Sequence, residues 1–295
     1  MIRLAVRVAR DRAEIALSEL LELQPSGVEE VELDDGSIEY AVYGAPGELP
    51  SLPNLRAAVG PALVEISTRE VADDWAERWK RFHHPITVSD PDGRPRLRVR
   101  PPWSEPDPGV ALDVVIDPGQ AFGTGAHPST RLSLSLLVEL AHRGLARGAL
   151  CDVGCGSGVL AIAGARLGWT PVVAVDHESE SVSATTANAA VNGVHVDVSG
   201  LDLRRQAPPR APTMVANLLR PLLLDLAAAL AASPGEEPPP RTLIASGLLH
   251  HEVDEVAGAF GERAGLHERR RCSDGEWSAL LLSRNVGQET LATDH

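Results

Sequence analysis

The sequence predicts an α/β protein: a mostly parallel sheet with helices on both faces, preceded by a small α+β domain. Two observations carry this. From about residue 110 to the end, apolar runs alternate with amphipathic segments in strand–helix order, the pattern of a parallel sheet. The first seventy residues instead read βαββαβ, the order of a ferredoxin-like domain.

In that first domain, IRLAVRVA (2–9) alternates as a strand, and DRAEIALSELLELQ (11–24) has helical apolar spacing behind a capping Asp. Residues 27–44 form two strands around Asp35-Gly36, a hairpin signal. A short helix over 52–60 and a closing strand over 62–71 complete it. DDWAERWKRFHHPI follows, with Trp75 and Trp79 on one face of a predicted linker helix. The stretch 89–109 is rich in turn residues and reads as a bridge. The predicted boundaries are 1–65 for the small domain, 66–86 for a helical linker and 87–295 for the large domain.

In the large domain, ALDVVI, ALCDVGC, PVVAVDH, HVDVSGLD, PTMVANLL and RTLIASGLL are the predicted strands. Between and after them lie helical stretches such as STRLSLSLLVELAHRG, GVLAIAGARLG, SVSATTANAAVNG and PLLLDLAAALAAS. A helix at HEVDEVAGAFGERAG and an antiparallel pair within HERRRCSDGEWSALLLS end the domain. Ligands in such folds bind beyond the carboxyl ends of the strands.

Of 295 residues, 43% are hydrophobic, and the formal net charge is −14. A packed core is therefore expected, and a nucleic-acid backbone is not expected as a partner, because phosphate binding needs a basic footprint. No apolar run is long enough for a bilayer and the N-terminus lacks a leader pattern, so the expectation is a cytoplasmic protein with no membrane partner. Three scattered cysteines, Cys151, Cys155 and Cys272, suggest neither a disulfide framework nor a metal site.

Two glycine-rich loops carry the chemistry. DVGCGSG (152–158) joins a strand to a helix with glycines at 154, 156 and 158. A dinucleotide site prefers G-x-G-x-x-G. Here the third glycine comes one residue early and no basic residue is near, which suits a nucleoside without a phosphate, such as S-adenosylmethionine. Asp176 closes the next strand, 22 residues after Gly154, where an acid can accept both ribose hydroxyls. The other loop, DPGQAFGTGAHPST (117–130), precedes the first helix of the large domain. His127 is not placed in the catalytic set, because a structural His before a Pro explains it as well.

In order along the chain, DDWAERWKRFHHP, DPGQAFGTGAHPSTRLSL, DVGCGSGVLAIA, AVDHE, ANAAVNGV, VANLL, SGLL and GEWSALLL resemble a known family. The large domain is similar to class I S-adenosylmethionine-dependent methyltransferases, and the whole chain resembles the bacterial methyltransferases of ribosomal large-subunit protein eleven. The resemblance implies a Rossmann-like, mostly parallel seven-stranded sheet with an antiparallel C-terminal strand. It implies that Thr130 contacts the cofactor, Gly154 lies under it, Asp176 holds its ribose, and Asn217 sits at the methyl-transfer point as the catalytic residue. Phe122, Gly123 and Gly156 complete the implied cofactor-binding set, and 119–130 becomes a lid in which Thr130 either caps the helix or binds the methionine part. No metal is implied.

The implied reaction is direct methyl transfer to lysine ε-amines and the N-terminal α-amine of that ribosomal protein, by a protein-lysine N-methyltransferase expected to be monomeric. Residues 1–60 hold 5 Arg against 11 Asp or Glu, net −6, which suits docking of a basic substrate, with 66–86 as hinge. Two alternatives stay open at this point: a same-fold enzyme acting on another protein lysine or a small molecule, and a cofactor-binding module that no longer transfers methyl.

Overall fold

A computed structural model describes residues 2–10, 29–33, 35–44, 63–70, 83–118, 125–232 and 239–284. The chain divides into two compact units, Met1–Phe82 and His83–His295.

The first unit contains strands β1 (Ile2–Val8), β2 (Glu29–Glu32), β3 (Ile38–Gly44) and β4 (Leu63–Glu70). They form one antiparallel sheet in the order β2-β3-β1-β4, the order of a ferredoxin-like sheet. Leu4, Val6 and Val8 point to one face and are buried, as period-two alternation requires. Arg7 points the other way, donates to Ser37 Oγ at 2.7 Å and pairs with Asp35 of the hairpin turn. The helices expected at 11–24 and 52–60, and the one bearing Trp75 and Trp79, lie outside the described residues.

The second unit is built on a seven-stranded sheet. Its strands are β8 (Leu150–Val153), β9 (Val172–Asp176), β10 (Asp197–Gly200), β11 (Thr213–Asn217), β12 (Thr242–Leu249), β13 (His267–Asp274) and β14 (Trp277–Ser283). The order is β10-β9-β8-β11-β12-β14-β13, and only β14 runs antiparallel to its neighbours. Burial on both faces explains the near-continuous apolar strands. Leu150, Ala174, Val215 and Ile244 face one layer, while Cys151, Val175, Met214 and Leu243 face the other.

The first layer holds α1 (Pro128–His142), α2 (Val159–Leu167) and α3 (Ser179–Val191). The second holds α4 (Arg220–Ala232) and α5 (Val253–Ala264), whose Leu223, Leu226, Val256 and Phe260 are wholly buried. At about 25 cal/mol per Å², each such side chain contributes roughly 1.5–3 kcal/mol of burial. Among the described residues no helix is long and apolar enough to cross a membrane.

The stretch 89–109 is more than a bridge. It contains β6 (Pro95–Arg100), which pairs antiparallel with β5 (Ile86–Ser89) and parallel with β7 (Leu112–Val115) in a separate three-stranded sheet. The flanking prolines disguise a short alternation in which Leu97 and Val99 are buried against the α1 layer. Arg100, the last residue of β6, donates to Asp113 Oδ2 on β7 at 2.7 Å.

Candidate active site at the switch point

Strand order reverses between β8 and β11, and a cleft of about 260 Å³ opens beyond their carboxyl ends. Thr130, Gly154, Gly156, Asp176 and Asn217 all line it. Phe122 and Gly123 lie outside the described residues.

The floor is the turn after β8. Gly154 has φ +76°, a backbone conformation that favours glycine, and a Cβ there would stand 2.3 Å from Leu218 Cδ2, which would have to move aside. Its N–H donates to Val175 O at 2.8 Å, which ties the turn to β9. Cys151 and Cys155 are buried thiols, and Cys155 is part of the cleft lining. Burial pushes the Cys155 thiol up to about 12, so it is a neutral packing group that accepts from Thr185 Oγ1 at 3.3 Å. Asp152 is wholly buried; Oδ2 accepts from Ala161 N at 2.9 Å while Oδ1 has no partner. Desolvation raises this carboxyl to about 7.

One wall is acidic. Asp176 ends β9 with 8% of its surface exposed. Its Oδ2 accepts from Gly156 N at 2.9 Å and its Oδ1 from Glu178 N at 3.1 Å. Two backbone donors thus fix the carboxylate and leave further lone pairs to face the cleft.

The opposite wall is an amide and a hydroxyl. Asn217 closes β11 and donates from Nδ2 to Thr130 Oγ1 at 3.2 Å. Thr130 is wholly buried on the first turn of α1. It does not cap that helix: the N-cap is His127, whose Nδ1 accepts from Ser129 N at 3.3 Å and lies 2.8 Å from Ser129 Oγ. Burial, with Arg131 nearby, lowers the His127 pKa, and its ring packs edge-on against Trp277 at 4.6 Å. His127 therefore serves a structural role.

The cleft also takes in His177, Glu178, Asp202 and Leu203, which sequence reasoning did not select. Asp202 is held below the usual carboxylate range by its bond to Arg204. The available signal was positional, since GLDL follows a strand of the same sheet edge as Asp176.

With this geometry in view, the family relationship is decided by a direct match. The family model described as "Ribosomal protein L11 methyltransferase (PrmA)" matches residues 52–285. The chain belongs to this family. A ribosomal protein L11 methyltransferase of Heliobacterium modesticaldum is 38% identical over 256 residues, 85% of this chain and 76% of its own length. That of Pelotomaculum thermopropionicum is 40% identical over 232 residues, 76% and 70% of the two chains. Among solved structures, a ribosomal protein L11 methylase from Lactobacillus delbrueckii subsp. bulgaricus aligns with TM-score 0.57 and 29% identity, covering 69% of this chain and 98% of that one.

Membership in the L11 methyltransferase family makes this a protein methyltransferase with S-adenosylmethionine as donor. The residues present fit that cofactor. A fixed carboxylate suits a vicinal diol, a Cβ-free floor admits close approach, and the one arginine among the described residues lining the cleft, Arg204, is held by Asp202.

Proposed function

We propose that this L11 methyltransferase homologue methylates lysine ε-amines and the N-terminal α-amine of ribosomal protein L11, with Asn217 as the residue that receives the amine. The observation that supports it is the Asn217–Thr130 hydrogen bond on the wall opposite Asp176. When bound, the cofactor supplies a methyl group already activated by an adjacent positive sulfur, so the protein must supply alignment rather than an electrophile. Reacting atoms must come within ~3–3.5 Å in line.

In this reading Asp176 holds the ribose and Gly154 and Gly156 form the floor. Thr130 accepts from Asn217 and turns its own O–H toward the methionine part. Phe122 and Gly123 belong to the same binding set. Because Nδ2 of Asn217 is engaged by Thr130, Oδ1 is the atom that accepts a hydrogen from the incoming amine and points its lone pair at the methyl. A free lysine has pKa ~10.4 and must lose a proton before attack. Apolar surroundings, here Leu218 and Leu222, favour the neutral amine.

The acidic first unit is the docking element for the basic substrate, and residues 66–86 link it to the chemistry. No metal takes part in this scheme, and the protein acts in the cytoplasm as a monomer. The test is incubation of the purified chain with methyl-labelled S-adenosylmethionine and purified L11. Label on L11 amines is the expected result. Cofactor binding without any transfer to L11, or label on another ribosomal protein only, would overturn the assignment.

A further inference from the structure

SGLL (residues 246–249) was singled out in the sequence, yet none of its residues lines the cleft. Its first two residues nevertheless touch both sides of the Asn217–Thr130 bond. Ser246 is wholly buried and sits directly beside Asn217 in the parallel β11–β12 register. Its carbonyl accepts from Leu218 N at 3.0 Å, which holds the main chain next to Asn217. Its Oγ donates to Ser129 O at 2.9 Å, which holds the first turn of α1 next to Thr130. One residue therefore links the two elements whose side chains must meet, to β11 through its main chain and to α1 through its hydroxyl.

Gly247 completes the device. It is the extra residue of a bulge, since Ser246 pairs with Ala279 of β14 and Leu248 with the adjacent Ser278. Bulges re-aim a strand end. Gly247 has φ +86°, and a Cβ there would stand 2.5 Å from Leu218 O and 3.1 Å from Asn217 Oδ1. Only glycine lets β12 lie this close to the amide.

We propose that Ser246 and Gly247 are the positioning pair for Asn217: they touch no substrate, but they set the register between α1 and β11 and the direction of the amide. This rests on the reading of Asn217 as the amine acceptor. Loss of the Ser246 hydroxyl removes one donor from a buried carbonyl and lets the first turn of α1 shift. A sub-ångström shift is enough to lower turnover while leaving the ribose grip at Asp176 intact.

The test is a double-mutant cycle on the full chain with L11 as substrate, comparing Ser246→Ala, Asn217→Ala and the double variant, with folding followed by thermal unfolding. Ser246→Ala should lower kcat about tenfold while the cofactor dissociation constant, measured by calorimetry, changes less than about threefold. In the Asn217→Ala background the same substitution should have almost no further effect on kcat. Ser246→Cys, which keeps a weak donor, should recover part of the loss. Gly247→Ala should lower kcat further than Ser246→Ala. An unchanged kcat in Ser246→Ala, or an equal loss in both backgrounds, would overturn the positioning role. If Asn217→Ala itself leaves kcat unchanged, it is the acceptor reading that fails, a different result from the other two.

Discussion

Asn217 is a half-buried amide at a strand end that faces the cleft. Thr130 satisfies only its donor side. Asn217→Ala is therefore expected to reduce kcat by about 10- to 100-fold with little change in cofactor affinity, as separated by single-turnover kinetics and calorimetry. Asp176→Ala should do the reverse and weaken cofactor binding first, by about tenfold or more, if Asp176 accepts both ribose hydroxyls as proposed. Asp152 gives a pH signature. Its carboxyl is raised from 3.8 to about 7 in the folded protein. The native state thus holds a proton that the unfolded chain releases above about pH 4. Stability from this residue is complete below that point, declines as pH rises through 7, and is then lost. Asp152→Asn should flatten this slope: its unfolding midpoint relative to the unsubstituted chain should rise between pH 5 and pH 8. Parallel curves over that range would refute the raised carboxyl.

At the scale of elements, the two glycine-rich loops are joined by α3. Asn188 donates to Ser157 O at 2.9 Å in the second loop and accepts from Asp117 N at 3.1 Å where the first begins. One turn later, Asn192 accepts from Val115 N at 2.8 Å and donates back to Val115 O at 2.6 Å, closing the end of β7. The paired asparagines of ANAAVNG are thus a clamp, visible in the sequence as a pattern but not as a function. Asn188→Ala removes a donor to Ser157 O and the acceptor of Asp117 N, at a cost of about 1–3 kcal/mol. Denaturant unfolding should register that loss, together with faster amide exchange at Asp117. The βα alternation was legible because parallel strands buried on both faces are continuously apolar. The turn after β8 was legible because its backbone conformation favours glycine. β6 was not, since Pro95 and Pro101 at its ends imitate a loop. The His127 cap was not, since His is outside the usual set of N-cap side chains, and the Asp202 wall was not, since it depends on the ends of β10 and β9 meeting at one sheet edge.

At the scale of the whole molecule, the chain is two compact units, and the family match begins inside the first of them. A chain starting at His83 should retain cofactor binding by calorimetry and lose methylation of L11. Undiminished methylation would remove the docking role of the acidic unit. The order of strands has one more consequence. β14 is the last of the described strands in chain order, yet it lies between β12 and β13 as an interior strand with five consecutive buried residues, Ser278–Leu282. A nascent chain halted before Trp277 therefore carries β13 with nothing to pair to and β12 with an open apolar border. Completion of this sheet waits for residues 277–283 to leave the ribosome, and a chain cut before them would be a sticky fragment rather than a weaker enzyme.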